Sequence, residues 1–166
     1  MLKQKLVDCG AIKFGNFVLA SGKRSKYYID IKKASTKVDI LKEIAELLSK
    51  HVKGDILAGV ELGAVPLTVA VALMTGKDYL IIRKKEKGYG TEKLIEGDFK
   101  EGMTVDIIED VVTTGGSVLR AVKILKNSGL EVQRVICVVD REEGGMENLK
   151  KEGVELIALL KARDLL

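Results

Sequence analysis

The stretch VDIIEDVVTTGGSV, residues 105–118, decides the fold of this chain. It begins with an apolar run, Val105–Ile108, which predicts a short buried strand. The segment Thr113–Ser117, rich in hydroxyls and glycine, then leads into a helical pattern that runs to about Asn127. A strand, a glycine-containing turn and a helix in this order predict an α/β unit, in which ligands bind beyond the carboxyl end of the strand.

The same alternation of apolar run and helix recurs on both sides of this stretch. The other apolar runs are DILAGV (55–60), DYLIIR (78–83), RVICVVD (134–140) and VELIALL (154–160). Short continuous apolar strands that alternate with helices are typical of a parallel sheet covered on both faces. We therefore predict an α/β fold whose central, mainly parallel sheet has helices on both faces.

The N-terminal third has a different pattern. It predicts a short helix over Leu2–Cys9, a strand over 14–22 and a second, polar-alternating strand over 26–34. Residues 38–51 have apolar side chains at the spacing of an amphipathic helix. The charged, glycine-containing segment 84–101 is longer than a simple connection between two elements needs to be, which indicates a functional loop. With 166 residues and no internal repeat or linker, we expect one domain.

The acidic pair and the loop after it predict a binding site for a phosphorylated sugar. Glycines let the backbone N–H groups of Thr113–Ser117 converge, and the start of the following helix adds partial positive charge, which suits a phosphate dianion. Glu109 and Asp110 would repel that phosphate but suit sugar hydroxyls, a divalent cation or a carbon that becomes positive. A ribose 5-phosphate with a reactive anomeric carbon offers all of these. The alternative is a strand cap followed by an ordinary turn and helix N-cap.

Composition narrows the class of protein. The formal net charge of +4 favours anionic ligands without indicating nucleic acid, and the basic residues are not interleaved with aromatic ones. The two cysteines, Cys9 and Cys137, have no metal-ligand spacing and are typical of a reduced, cytoplasmic protein. A single histidine makes an imidazole-based metal site improbable. We find neither a signal peptide nor an apolar stretch long enough to cross a membrane, and expect no membrane partner.

Residues 105–118 closely resemble the phosphoribosyl-pyrophosphate (PRPP) signature of type I phosphoribosyltransferases. Three further stretches resemble the orotate phosphoribosyltransferase family: FGNFVLASGKRSKYYIDIKKA (14–34), IRKKEKGYGTEKLIEG (82–97) and VVDREEGG (138–145). The resemblance covers nearly the whole chain in the expected order. It implies the type I phosphoribosyltransferase fold, with an N-terminal hood over about 1–35, a core over about 36–166 and a mobile catalytic loop over about 84–97.

This resemblance also implies an activity: transfer of ribose 5-phosphate from PRPP to orotate, with Mg²⁺ as cofactor. It implies Lys87 and Asp110 as catalytic residues. The residues implied for PRPP binding are Arg83, Lys84, Lys87, Tyr89, Glu109, Asp110, Val111, Val112, Thr113, Thr114, Gly115, Gly116 and Ser117. For orotate they are Thr113, Arg141 and Tyr28. No residue is implied as a certain direct metal ligand, because PRPP itself would hold most of the Mg²⁺.

The basic segment 83–87 suits a departing pyrophosphate, because it places four cations within five positions. In the family, part of the mobile loop reaches the partner's active site, which implies a homodimer. The alternative is a solvated basic surface loop. Likewise Asp140–Arg141 could be a surface ion pair, and Tyr27 and Tyr28 could be strand packing residues.

Three positions depart from the family pattern. Ala20 stands where a lysine often precedes the Ser-Gly of the hood, Gly63 lies where an aromatic-Lys pair is common, and Tyr89 replaces a frequent histidine. The first two departures lower the positive charge expected around the diphosphate.

Two alternative functions stay open at this point. One is a phosphoribosyltransferase for a purine or for uracil. The other is a regulator that senses PRPP or a nucleobase, for which the chain offers no room for a helix-turn-helix before the hood.

Overall fold

The computed structural model describes residues 1–84 and 93–165. Its elements, in chain order, are α1 (Leu2–Asp8), β1 (Ile12–Val18), β2 (Arg24–Ile29), α2 (Ile31–Ser35), α3 (Val38–Ser49), β3 (Ile56–Val60), α4 (Ala64–Thr75), β4 (Tyr79–Ile82), β5 (Ile95–Glu96), β6 (Thr104–Val112), α5 (Gly116–Asn127), β7 (Glu131–Asp140), α6 (Gly145–Lys151), β8 (Glu155–Lys161) and α7 (Ala162–Leu165).

The main sheet has the strand order β5-β4-β3-β6-β7-β8. All neighbouring pairs are parallel except β5, which pairs antiparallel with β4 at the edge. The predicted α/β fold with a mainly parallel sheet is therefore confirmed. The two-residue strand β5 lies inside the charged segment 84–101. It forms there because its backbone pairs with Ile81 and Ile82 of β4.

Each face of the main sheet has its own apolar core. Leu57, Ile108 and Ile136 pack with buried residues of α1, α3 and α4 on one face. Ile107 and Val135, one position away along their strands, pack with α5 and α6 on the other. Side chains alternate between the two faces of a strand, so an apolar run with no polar alternation is buried on both.

A second, two-stranded sheet lies within residues 1–35, the segment that the family resemblance predicts to be the hood. Strands β1 and β2 pair antiparallel, from Ile12 opposite Ile29 to Val18 opposite Arg24. The prediction of a strand over 26–34 was wrong at its end, because Asp30 interrupts it: its carboxylate accepts a hydrogen bond from the N–H of Lys33 and begins the helix α2.

Candidate active site

The central strand β6 carries the acidic pair at its carboxyl end. The prediction that the strand stops at Ile108 was wrong, because β6 continues to Val112, pairing with β7 through Val111–Val139 and Val112–Asp140. Glu109 and Asp110 therefore lie within the strand and not after it. Although adjacent residues of a regular strand point to opposite faces, both side chains border one cavity at this end of β6.

Glu109 is almost completely buried, with 7% of its surface exposed. Its Oε1 accepts a hydrogen bond from the N–H of Asp110 at 2.9 Å. Burial, and then the neighbouring Asp110 carboxylate, raise the pKa of Glu109 well above its ordinary value of 4.5. A carboxyl group in this environment gains strongly from a nearby positive charge.

The raised pKa of Glu109 predicts a pH dependence of stability. The folded protein holds this proton more tightly than the unfolded chain, so the free energy of unfolding falls as the pH rises from about 4.5 through the folded pKa. Glu109→Gln should remove that fall and raise the melting temperature at pH 8 by at least about 2 °C. Thermal melts from pH 4.5 to 9 measure it, with the exposed Glu46→Gln as control. Parallel profiles for wild type and Glu109→Gln would contradict the prediction.

Asp110 lies at the junction of two cavities. The larger one, of about 420 Å³, is lined by Leu19, Ala20, Ser21, Lys23, Tyr28, Ile29, Ile31, Lys32, Asp110, Val111, Thr113, Thr114, Arg141 and Glu143. The smaller one, of about 200 Å³, is lined by Lys32, Val60, Glu61, Leu62, Gly63, Lys84, Glu109, Asp110, Val111 and Ser117. Asp110 Oδ1 accepts a hydrogen bond from the N–H of Val111 at 2.8 Å. A group bound at Asp110 therefore has access to both spaces.

Gly63 lies directly against the Asp110 carboxylate. A Cβ at position 63 would stand 2.3 Å from Asp110 Oδ2, closer than any real contact. The preceding loop carries the cis peptide bond Glu61–Leu62. A side chain at position 63 would therefore displace the acidic group that joins the two cavities.

The segment Thr113–Ser117 turns from β6 into α5 as predicted. Gly115 adopts the left-handed conformation with φ of 89°, which an L side chain rarely takes, and α5 begins at Gly116. Thr113 and Thr114 are exposed toward the larger cavity, and Ser117 lines the smaller one. Val112, by contrast, is buried in the core. Backbone N–H groups and hydroxyls thus meet at a helix start, the arrangement that binds phosphate.

Helix α6 supports this segment from behind. The N–H of Gly145 donates to the carbonyl of Thr113 at 3.2 Å, and the Asn148 amide donates to the carbonyl of Thr114 at 2.8 Å. A Cβ on Gly145 would meet Val112 at 2.5 Å, so only glycine allows this approach. These contacts fix the loop through its carbonyls, which leaves its N–H groups for a ligand.

Arg141 is held at the larger cavity by three groups. Its Nε donates to Glu143 at 3.0 Å, and its Nη2 donates to the hydroxyl of Ser25 in the hood at 3.3 Å. The guanidinium lies over the ring of Tyr27, 4.5 Å from its centre. Tyr28, the tyrosine assigned to orotate, lines the cavity, whereas Tyr27 is buried beneath the arginine. Arg141 is therefore held by Glu143, Ser25 and Tyr27, and it does not form the alternative surface ion pair with Asp140.

The start of the basic segment lies at the smaller cavity. Lys84 lines it, and the N–H of Lys84 donates to Glu61 Oε1 at 2.6 Å. Arg120 of α5 donates to the carbonyls of Arg83 and Lys84, at 3.1 and 3.0 Å. The Arg83 guanidinium instead pairs with Glu96 of β5 at 3.4 Å, so it is not brought to the cavity lining. Lys87 and Tyr89 lie outside the described residues.

Residues 35–159 match the family model of the phosphoribosyl transferase domain. An orotate phosphoribosyltransferase from Methanocaldococcus jannaschii is 53% identical over 98% of this chain and 96% of the relative. The chain belongs to the orotate phosphoribosyltransferase family. A relative of the same name from Pyrococcus abyssi is 52% identical over 99% of this chain and 93% of its own length.

Solved structures of this family have the same fold. The orotate phosphoribosyltransferase from Aeropyrum pernix gives a TM-score of 0.89 at 32% identity, over 98% of this chain and 94% of that one. The Mycobacterium tuberculosis H37Rv enzyme in complex with PRPP gives 0.80 at 30% identity, over 99% and 96%. The predicted family is therefore confirmed.

Several residues of this family member's site were not assigned from the sequence. They are Ser25, Lys32, Glu61, Arg120, Glu143 and Asn148. Their local patterns are ordinary for a strand, a helix or a turn, and only contacts across the fold bring them to the site. Glu143 lies two positions after Arg141, and that short spacing is the one signal that could have identified it.

The acidic residues suit Mg²⁺ held mainly through substrate. Within 1–84 and 93–165 no group of three or more His, Cys, Asp and Glu side chains could hold a metal ion. Mg²⁺ in such sites is commonly bound by one or two carboxylates together with substrate phosphates. The smaller cavity offers oxygen donors of this type from Glu109 and Asp110.

Within residues 1–84 and 93–165, no helix is long and apolar enough to span a membrane.

Proposed function

We propose that this chain transfers ribose 5-phosphate from PRPP to orotate, giving orotidine 5′-monophosphate and pyrophosphate, in pyrimidine biosynthesis. The observation that carries the proposal is the position of Asp110, at the junction of one cavity that contains Arg141 and another that contains Lys84 and Ser117. The three chemical parts of the reaction, base, ribose and diphosphate, each have a matching surface there.

In this reaction the bond between ribose C1 and the diphosphate oxygen breaks, and its electron pair leaves with pyrophosphate. A ring nitrogen of orotate forms the new bond to C1 and gives up its proton. Positive charge develops on the ribose in between, so preorganised negative charge near C1 lowers the barrier. Asp110, with Glu109, would bind the ribose hydroxyls and stabilise that charge.

The remaining roles combine the cavity linings with what the family resemblance implies. Thr113–Ser117, preceded by Val111 and Val112, would bind the 5′-phosphate. Lys84 at the smaller cavity and, by family resemblance, Arg83 and Lys87 would neutralise the pyrophosphate, with Lys87 as the catalytic cation. Tyr89 would donate a hydrogen bond to it. Arg141, Thr113 and Tyr28 would bind orotate. Mg²⁺ would neutralise the diphosphate and would be held by PRPP with help from the acidic pair.

A single assay tests the proposed activity. Purified protein with Mg²⁺ and PRPP should consume orotate, measured as the loss of its ultraviolet absorbance, and pyrophosphate should appear in equal amount. Omitting PRPP is the control. An unchanged absorbance with both substrates present would overturn the assignment.

Base specificity is tested with a panel of uracil, adenine and hypoxanthine in place of orotate. These bases lack the carboxylate that a fixed arginine binds best. We expect turnover with orotate alone; turnover with a purine would favour a phosphoribosyltransferase for another base. Binding of PRPP without any turnover would favour a sensing regulator.

We further propose that the chain forms a homodimer through the outer face of α4, with the basic loop shared between subunits. This helix is apolar all round, AVPLTVAVALMT, although only one side of it packs on the core. Leu62 before it, Leu73 and Met74 in it, and Tyr79 after it are exposed, Leu73 by 82%. Leu73 and Tyr79 line the same surface groove, and exposed apolar side chains grouped in this way indicate a protein interface. The cytoplasmic location stays a prediction from the sequence.

Leu73→Asp should convert the dimer to a monomer of 18.1 kDa. A charge in the centre of an apolar interface is desolvated without a partner, which costs more than a small interface gains. Light scattering during size-exclusion chromatography measures the mass. Val38→Asp is the control, because Val38 is 80% exposed on a different helix. A wild-type monomer, or a dimer in Leu73→Asp, would contradict this interface.

A further inference from the structure

Lys32 is a basic residue to which neither the sequence patterns nor the comparisons give a role. It lies in α2, the short helix that Asp30 begins at the end of the hood. Among the residues that the structure describes, three line both cavities of the site: Asp110, Val111 and Lys32. Of these, Lys32 alone carries a positive charge.

Its side chain lies against the part of the site that borders the smaller cavity. Lys32 Cγ is 3.2 Å from the point where a Cβ of Gly63 would stand, and Asp110 Oδ2 is 2.3 Å from the same point. The absence of a side chain at position 63 therefore leaves the space along which the Lys32 stem and the Asp110 carboxylate approach each other.

The smaller cavity needs this charge if it is to hold a polyanion. Its described lining contains three acidic residues, Glu61, Glu109 and Asp110, and two basic residues, Lys84 and Lys32. A diphosphate placed there without Lys32 would face three acids and one cation from this part of the chain. The larger cavity already has Arg141 for an orotate carboxylate.

We propose that Lys32 binds the diphosphate of PRPP, and the pyrophosphate that leaves it, from the hood side of the site opposite Lys84. The proposal rests on the proposed function and adds a binding residue to it. Because its stem also borders the larger cavity, Lys32 fixes the diphosphate close to where the base enters. An ammonium group suits this position, since it can rotate its three donors among several phosphate oxygens.

The test compares two lysines of the same helix. Lys32→Gln removes the charge at the cavities, whereas Lys33→Gln removes one that lines neither of them, since Lys33 Nζ lies 3.0 Å from the Cβ position of Gly10. We expect Lys32→Gln to raise the KM for PRPP about 10- to 100-fold, with the KM for orotate within about twofold of wild type. Lys32→Arg should recover part of the loss, and Lys33→Gln should match wild type.

Two results would overturn the proposal: a KM for PRPP unchanged in Lys32→Gln, or a rise in the KM for orotate instead. Calorimetric titration with magnesium pyrophosphate gives a readout that does not need orotate. It should show the same 10- to 100-fold weakening, and equal affinities of wild type and Lys32→Gln would refute the role. If the wild type binds pyrophosphate more tightly than Lys32→Gln but does not consume orotate, the proposed function is wrong and the role of Lys32 stands.

Discussion

Asp110→Asn is expected to lower kcat for orotidine 5′-monophosphate formation about 100- to 1000-fold. The substitution keeps the size of the side chain and the oxygen that accepts from the N–H of Val111. It removes only the negative charge at the junction of the two cavities. The carboxylate stabilises the positive charge on the ribose, which is largest in the transition state. We therefore expect kcat to fall much more than the affinity for PRPP.

Steady-state kinetics with both substrates varied, together with calorimetric binding of PRPP, measures this effect. Asp39→Asn is the matched control, since Asp39 is exposed in the first turn of α3 and lines neither cavity. The control should retain wild-type kcat. A kcat within threefold of wild type in a folded Asp110→Asn protein would remove Asp110 from the mechanism.

Arg141→Lys should raise the KM for orotate about 100-fold and leave the KM for PRPP nearly unchanged. In the described contacts, Arg141 uses Nε for Glu143 and one hydrogen of Nη2 for Ser25, so Nη1 and the other hydrogen of Nη2 are available for a carboxylate. Two charge-assisted hydrogen bonds in this geometry are worth a few kcal/mol together, on the order of 1.5–3 kcal/mol each at most. Lysine cannot reproduce the planar fork, nor the contact with the Tyr27 ring in the same pose.

Initial rates at saturating PRPP with orotate varied measure this KM. The same substitution at a surface pair, Arg163→Lys, serves as control: Arg163 is 71% exposed and bonds Glu142, the residue after Arg141. The bond lowers the pKa of Glu142 to about 2, so that carboxylate is charged at every pH used for the assay. An equal KM in Arg141→Lys and wild type would show that orotate is bound elsewhere.

The alternation of elements was readable from the sequence because it depends on local patterns. The apolar run of β6, the amphipathic spacing of α3 and the Gly115–Gly116 turn each encode their own conformation, through burial and through the φ that glycine allows. Boundaries were less predictable. The strand β6 extends past its acidic pair because β7 continues to pair with Val111 and Val112, and local sequence does not contain that partner.

The candidate site divides in the same way. Glu109, Asp110 and Thr113–Ser117 lie in one stretch of the sequence, so the local pattern predicts them together. Arg141 was found by its resemblance to a family segment, but its position depends on Ser25, 116 residues earlier in the chain. The two adjacent acids also differ in a way that composition does not show: burial raises the pKa of Glu109, whereas Asp110 faces two cavities.

By itself, the sequence determined a doubly covered parallel sheet, a phosphate-binding turn after an acidic pair, and the family to which both belong, because each of these is written in neighbouring residues. Only the tertiary structure decided which residues share a cavity: Lys32 from the hood, Glu61 and Gly63 from the loop after β3, and Lys84 after β4 meet Asp110. Parallel strands end at one edge of a sheet, so the loops after them converge there although they are far apart along the chain.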